Sequence, residues 1–198
     1  MWNERYEQPG YLFGTEPAQF LRDHSGYLKP DAKALAVADG EGRNSVFMAQ
    51  AGLDVTAMDY SHIAIEKAKA LAMAREVSVS FNEADINSWD WQENSFDLVV
   101  AIFIQFVGAT IRDQIFNGIK RTLKPGGVLM LHGYTPEQIA FGTGGPSQAE
   151  NMYTLEILER AFGGFEILEL SAYQRDLDEG DGHCGKSALI DLVARKPK

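Results

Sequence analysis

A doubly wound α/β fold around a mostly parallel sheet is the class this sequence predicts, on three observations. Short apolar runs alternate with helix-length segments from Lys33 to Tyr134, which is the rhythm of a parallel sheet wrapped by helices. The run Phe96-Asp97-Leu98-Val99-Val100-Ala101-Ile102-Phe103 is almost wholly apolar, as a central strand covered on both faces must be. Finally, Phe165–Tyr173 and Ser187–Arg195 follow one another with no helix between, so they pair antiparallel and the last strand runs against the rest.

Composition sets the limits. With 198 residues, 45% hydrophobic and 23% charged, the chain reads as a single domain able to bury a real core. Its aromatic segment 1–30 forms an arm, tucked onto the core or lying as a lid over a site, and 33–198 forms the core. No run is long enough to span a membrane, and no basic stretch leads into an apolar one at the N-terminus. The single cysteine, Cys184, cannot make an internal disulfide or a cysteine-rich metal centre and fits a cytoplasmic protein. A net charge of −10 repels phosphate backbones, so nucleic acid is not expected as a partner. Oligomeric state is not legible.

The elements follow in order. Lys33–Ala38 is a buried strand, and Arg43–Ala51 a helix that Gly52 stops. Asp54–Met58 is the second strand. Ser61 caps a helix through about Ala74, with Ile65, Ala68, Leu71 and Ala72 on its apolar face. Val77–Phe81 is the third strand and Phe96–Phe103 the fourth. A helix over about Ile111–Leu123 leads to Pro125-Gly126, which suit the centre of a type II turn, and then to a fifth strand, Val128–Tyr134. A last helix covers Leu155–Phe162. The stretch Gln174–Lys186 reads as a long acidic loop.

The functional signal is the turn Ala38-Asp39-Gly40-Glu41-Gly42-Arg43-Asn44. A strand, a G-x-G turn and a helix start are followed, seventeen residues beyond Gly42, by Asp59 at the end of a second strand. This is the outline of a nucleoside-binding β-α-β unit, whose distal carboxylate accepts the ribose hydroxyls. Dinucleotides set a pyrophosphate on the helix N-terminus. Here Asp39 and Glu41 oppose that charge, and Ser45 replaces the third glycine. A nucleoside with a cationic, phosphate-free 5′ end suits the turn better. Asp85, after the third strand, falls where the adenine edge should lie, beside Ile86; as a plain turn residue it needs no ligand.

Together with Val55-Thr56-Ala57-Met58-Asp59, Ala84-Asp85-Ile86, Phe96-Asp97-Leu98-Val99-Val100 and Leu123-Lys124-Pro125-Gly126-Gly127, this turn resembles the class I S-adenosylmethionine-dependent methyltransferases over nearly the whole chain. Gly-Glu-Gly-Arg-Asn, with Trp2-Asn3-Glu4-Arg5-Tyr6 and Phe13-Gly14, looks most like their tellurite-resistance and thiopurine-type small-molecule branch. The resemblance implies a seven-stranded Rossmann-like sheet with a reversed last strand. It implies S-adenosylmethionine as cofactor and S-adenosylhomocysteine as product. It implies cofactor contacts from Tyr11, Gly14, Ala38, Asp39, Gly40, Gly42, Asn44, Asp59, Tyr60, Asp85, Ile86 and Phe103. Two positions depart from the pattern. Ala36 stands where the family usually has an acid, so Asp39 or a carbonyl must meet the cofactor's ammonium. Ala38 stands where a glycine usually opens the turn, and permits close approach if its φ is negative.

Acceptor-side candidates come from beyond the strand ends. His183 and Tyr134 are the catalytic candidates, and Phe103, Gln105 and Phe106 follow the fourth strand. His132 reads as a core histidine. Asp178, Glu179, Asp181 and His183 read as a solvated loop and not a metal site. Arg5, Arg43 and Arg112 are the cations for an anionic acceptor, Arg43 being equally able to pair with Glu41. The expected function is methyl transfer to a small molecule, an oxyanion or a thiol-like nucleophile among the options. The alternatives are a cofactor-binding protein without turnover and, less favoured, an NAD(P)-dependent oxidoreductase.

Overall fold

A computed structural model describes residues 2–198; Met1, the first residue of the expected arm, lies outside them. The strands are β1 (Lys33–Val37), β2 (Asp54–Asp59), β3 (Ser80–Glu83), β4 (Phe96–Ile102), β5 (Leu123–Tyr134), β6 (Glu166–Asp178) and β7 (Cys184–Arg195). They form one sheet in the order β3-β2-β1-β4-β5-β7-β6. The first five strands run parallel, and β7 inserts antiparallel between β5 and β6. This is the expected seven-stranded α/β sheet with its last strand reversed.

The helices are α1 (Trp2–Tyr6), α2 (Gln19–Asp23), α3 (Arg43–Gln50), α4 (His62–Ala74), α5 (Ala109–Thr122), α6 (Gln138–Phe141) and α7 (Leu155–Phe162). Side chains alternate across the central strands and build two cores. Leu35, Val37, Met58, Val99 and Ala101 meet Ile115, Phe116 and Ile119 of α5 and Leu158 and Phe162 of α7. Ala34, Ala36, Val55, Ala57, Leu98 and Val100 meet Met48 of α3 and Phe20 and Leu21 of α2. Ser61 caps α4 through its hydroxyl, which accepts the Ala64 N–H, and Thr154 caps α7 in the same way.

Three boundaries differ from the sequence reading. The third strand starts at Ser80, because Val77 is still part of the α4 terminus: its N–H bonds to the Ala72 carbonyl, and its side chain packs against Val46 and Leu71. The fifth strand begins at Leu123. Lys124–Gly127 forms an irregularity inside it, with Phe96 paired to Leu123 and Leu98 already to Val128, while Gly126 supplies a φ of +78°. The expected long loop is mostly strand. β6 and β7 pair from Glu166–Arg195 to Asp178–Cys184, leaving only 179–183 as the connection. The polarity of this stretch belongs to a hairpin at the sheet edge, where one strand has no outer partner and charged side chains are favoured.

Candidate active site

The strand order reverses between β1 and β4, and open α/β sheets hold ligands beyond the carboxyl ends of their strands at such a point. A cavity of about 710 Å³ lies there. Its floor is the turn after β1. Gly40 adopts a φ of +63°, and a Cβ there would stand 2.9 Å from the Tyr6 hydroxyl. Gly42 serves another purpose: with a φ of +90°, its Cα packs on α4, and a Cβ would meet that of Ala68 at 2.7 Å.

Asp59 ends β2 and is held by backbone donors, Gly40 N–H to Oδ2 and Ser61 N–H to Oδ1, both at 2.8 Å. Each oxygen keeps a lone pair for a further donor. Burial raises its carboxyl above the ordinary range. Asp39 lines the same wall and accepts the Ser45 hydroxyl and N–H. Burial, with Asp59 beside it, pushes its pKa up to about 6. Glu41 does not face the cavity. Its buried carboxylate turns to the arm and α4, accepting the Leu12 N–H at 2.7 Å and pairing with Lys67 at 2.9 Å. The charge that opposes a pyrophosphate therefore comes from Asp39 and Asp59, and Glu41 ties the arm to the turn.

Two residues here hold left-handed backbone. Ala38 has a φ of +48°, not the negative value expected, which explains why a glycine usually occupies the position; the strain costs about 1 kcal/mol. Phe103 has a φ of +56°, an outlier for an aromatic residue and of the kind that clusters at functional sites. Its ring stacks on His183, with centroids 4.1 Å apart. On its other face His183 stacks on Phe13 at 4.5 Å. Its Nδ1 lies 2.6 Å from the Tyr134 hydroxyl. Burial, with the charge of Arg43 adding to it, lowers the His183 pKa well below the ordinary imidazole value. Burial raises that of Tyr134. Both groups are thus neutral at pH 7. Gln105 sets Tyr134 in place: its amide donates to the Tyr134 carbonyl and accepts from the Tyr134 N–H, at 2.8 and 2.7 Å.

Of the residues expected at the site, Ala38, Asp39, Gly40, Asn44, Asp59, Tyr60, Asp85, Ile86, Phe103, Tyr134 and His183 line the cavity. Tyr11, Gly14 and Gly42 do not. The Tyr11 hydroxyl donates to the Lys67 carbonyl on the outside of α4, and Gly14 lies against Gly180. Asp85 accepts from the Asn87 N–H and amide, so it shapes its turn as well as the wall. The loop 179–183 is solvated only in part: Asp181 is exposed, whereas Glu179 and His183 are buried. Arg43 pairs with Glu179 at 2.7 Å, not with Glu41. His132 sits in the core, bonded to Asp191 at 2.5 Å and stacked on Phe20. Arg112 bonds to the Glu150 carbonyl away from the cavity. The arm contributes Trp2, Arg5, Tyr6 and Phe13 to the lining. The sequence offered this segment as an arm tucked onto the core or as a lid over a site, and Arg5 as a cation for an anionic acceptor.

Residues 34–127 match the family model described as a methyltransferase domain. With the fold and the glycine turn, this match supports a class I S-adenosylmethionine-dependent methyltransferase. It is 26% identical over 202 residues to sterol 24-C-methyltransferase of Yarrowia lipolytica, spanning 91% of this chain and 52% of the relative. It is 27% identical over 167 residues to a probable S-adenosyl-L-methionine-dependent methyltransferase TehB of Haemophilus influenzae, covering 83% of this chain and 57% of the other. The crystal structure of TehB from that organism superposes with a TM-score of 0.74 at 21% identity, over 98% of this chain and 65% of that one. The chain thus spans about half the length of these curated relatives.

Members of this methyltransferase family use S-adenosylmethionine, and the cavity's chemistry fits it. Asp59 can accept two ribose hydroxyls, and Asp39 offers a carboxylate to an ammonium in place of the acid missing at Ala36. The arm's aromatic rings and the apolar ends of β1 and β4 line the rest of the cavity. A volume of about 710 Å³ is within the usual range for a cofactor site.

Proposed function

We propose that this protein binds S-adenosylmethionine and transfers its methyl group to a small-molecule nucleophile, as a single cytoplasmic methyltransferase domain. The observation that carries this reading is the division of one cavity into two halves. Asp39, Asp59 and Asp85 lie on the side of β1, β2 and β3, whereas Phe13, Phe103, Tyr134 and His183 lie on the other.

The cofactor, when bound, supplies a methyl group on a sulfonium. Asp59 holds the ribose, the Asp85–Ile86 turn borders the adenine, and Asp39 takes the ammonium. What remains for the protein is alignment and dryness, and alignment is worth roughly 7–11 kcal/mol of barrier. Tyr134 stays protonated and donates to Nδ1 of His183. The imidazole's own proton then stands on Nε2, so His183 offers a donor that orients the acceptor's lone pair. This role suits a nucleophile that arrives with its lone pair already free. The acidic chain, with three carboxylates in the cavity, disfavours nucleic acid.

Titration calorimetry with S-adenosylhomocysteine and, separately, NADH tests the reading. Binding of S-adenosylhomocysteine alone is expected; binding of NADH alone would sink it. Methyl transfer from labelled cofactor across a panel of thiol, oxyanion, amine and hydroxyl acceptors separates turnover from cofactor binding without turnover.

A further inference from the structure

Arg43 is the first residue of α3, directly after the glycine turn, and it lines the cavity while being 6% exposed. Its Nη2 donates to Glu179 at 2.7 Å. Its Nη1 has no hydrogen-bond partner among the described residues. A guanidinium presents its donors as a planar fork that matches carboxylates, so half of this fork is occupied and half is unmet. A buried unmet donor on a charged group is costly, and Asp39, an acid of the same turn, accepts from Ser45 and not from Arg43. Arg43 and Asp39 nevertheless feel one another's charge, as do Arg43 and His183. The guanidinium belongs to the same cavity wall as Asp39, Tyr134 and His183, all of which line the cavity.

We propose that Arg43 binds the α-carboxylate of the cofactor's amino-acid end, so that Asp39 and Arg43, four residues apart on one turn, form a cradle for a zwitterion. This rests on the reading of the cavity as an S-adenosylmethionine site. It also gives the Glu179 contact a purpose: that carboxylate holds the guanidinium in position, and it accepts the Gln19 N–H of the arm with its other oxygen.

The test compares S-adenosylhomocysteine with 5′-methylthioadenosine, a nucleoside thioether without the amino-acid end, by calorimetry on the full chain. Wild type is expected to bind S-adenosylhomocysteine more tightly. In Arg43→Gln its binding should weaken roughly 10- to 100-fold, while 5′-methylthioadenosine binds as before and so reports an intact nucleoside site. Arg43→Lys, which leaves a cation for Glu179 but no fork, should show the same selective loss if the glutamine variant does not fold. Unchanged affinity for S-adenosylhomocysteine, or an equal loss of both ligands, overturns the proposal. Glu179→Gln is the control for the arm, and a purely structural role for Arg43 would make it mimic Arg43→Gln on both ligands. If wild type binds neither ligand, the cofactor reading itself fails and the inference with it. Binding of both with equal affinity in wild type and variant overturns the inference alone.

Discussion

Asp39 answers to two opposed demands. Burial beside Asp59 lifts its pKa from 3.8 to about 6, so the folded chain prefers the neutral acid, whereas an ammonium requires the anion. The stability it contributes is present at acid pH and is lost as pH rises from about 4 through 6. Asp39→Asn should therefore raise the melting temperature at pH 7.5 by about 2–4 °C, ~1 kcal/mol for a chain of this size. The gain should shrink below pH 4, where aspartate is protonated in both states. Affinity for S-adenosylhomocysteine should climb between pH 5 and 7 in wild type and stay flat and weak in the variant. Scanning fluorimetry and calorimetry across pH check both halves; a gain over wild type no larger at pH 7.5 than at pH 4 contradicts the account. The sequence made Asp39 and Asp59 legible through their spacing from the glycines. It did not reveal which way Glu41 points, because that depends on Leu12 and Lys67, which approach from elsewhere in the chain. Nor did it reveal the positive φ of Ala38, since an alanine carries no mark of the backbone it is forced to adopt.

Among the elements, α3 and α4 are joined through Gly42, where the two helices approach too closely for a side chain. Adding a methyl group there meets both the Ala68 Cβ at 2.7 Å and its Cα at 2.9 Å, on a backbone with a φ of +90°. Gly42→Ala should cost about 2–4 kcal/mol by denaturant titration. Gly26→Ala, with open space around it, should stay within about 0.5 kcal/mol. If Gly42→Ala were as mild, close helix packing would not be what that glycine serves. Strands and helices of the parallel half were readable because each is apolar on the face or faces it buries. The β6–β7 hairpin was not, because an edge strand mixes charges into its pattern and then looks like a loop. Its antiparallel partnership was legible even so, from the missing helix.

For the molecule as a whole, the arm is what closes the cavity. Lys67 donates to the Gln8 and Gly10 carbonyls and pairs with Glu41, the Ser61 hydroxyl donates to Asn3, and the Ala18 N–H is held by Asn44. These are polar contacts, whereas the sheet beneath is held by two apolar cores. Lys67→Met should speed hydrogen exchange over residues 2–15 several-fold while leaving β1, β4 and β5 protected. Bound S-adenosylhomocysteine should slow that exchange. Equal loosening of arm and sheet would show that the arm is not an independent unit. Aromatic residues gave notice of an arm, but the distribution of its contacts over α4, the glycine turn and the hairpin depends on folding the entire chain.

The five-residue connection 179–183 has an evolutionary consequence. Glu179, at its start, anchors both Arg43 and the arm; His183, at its end, faces the proposed acceptor; and the Gly182 N–H between them bonds to the arm at Leu12. A lineage that altered this turn to admit a different acceptor would disturb the roof and the cofactor's anchor in the same step. Diversification is therefore easier from the 144–148 segment, which lines the cavity and whose hydrogen bonds run to Gln138 and Asn151, not to the arm or Arg43. Variation in acceptor choice among relatives of this chain should accumulate there, while the hairpin tip changes slowly or only together with the arm.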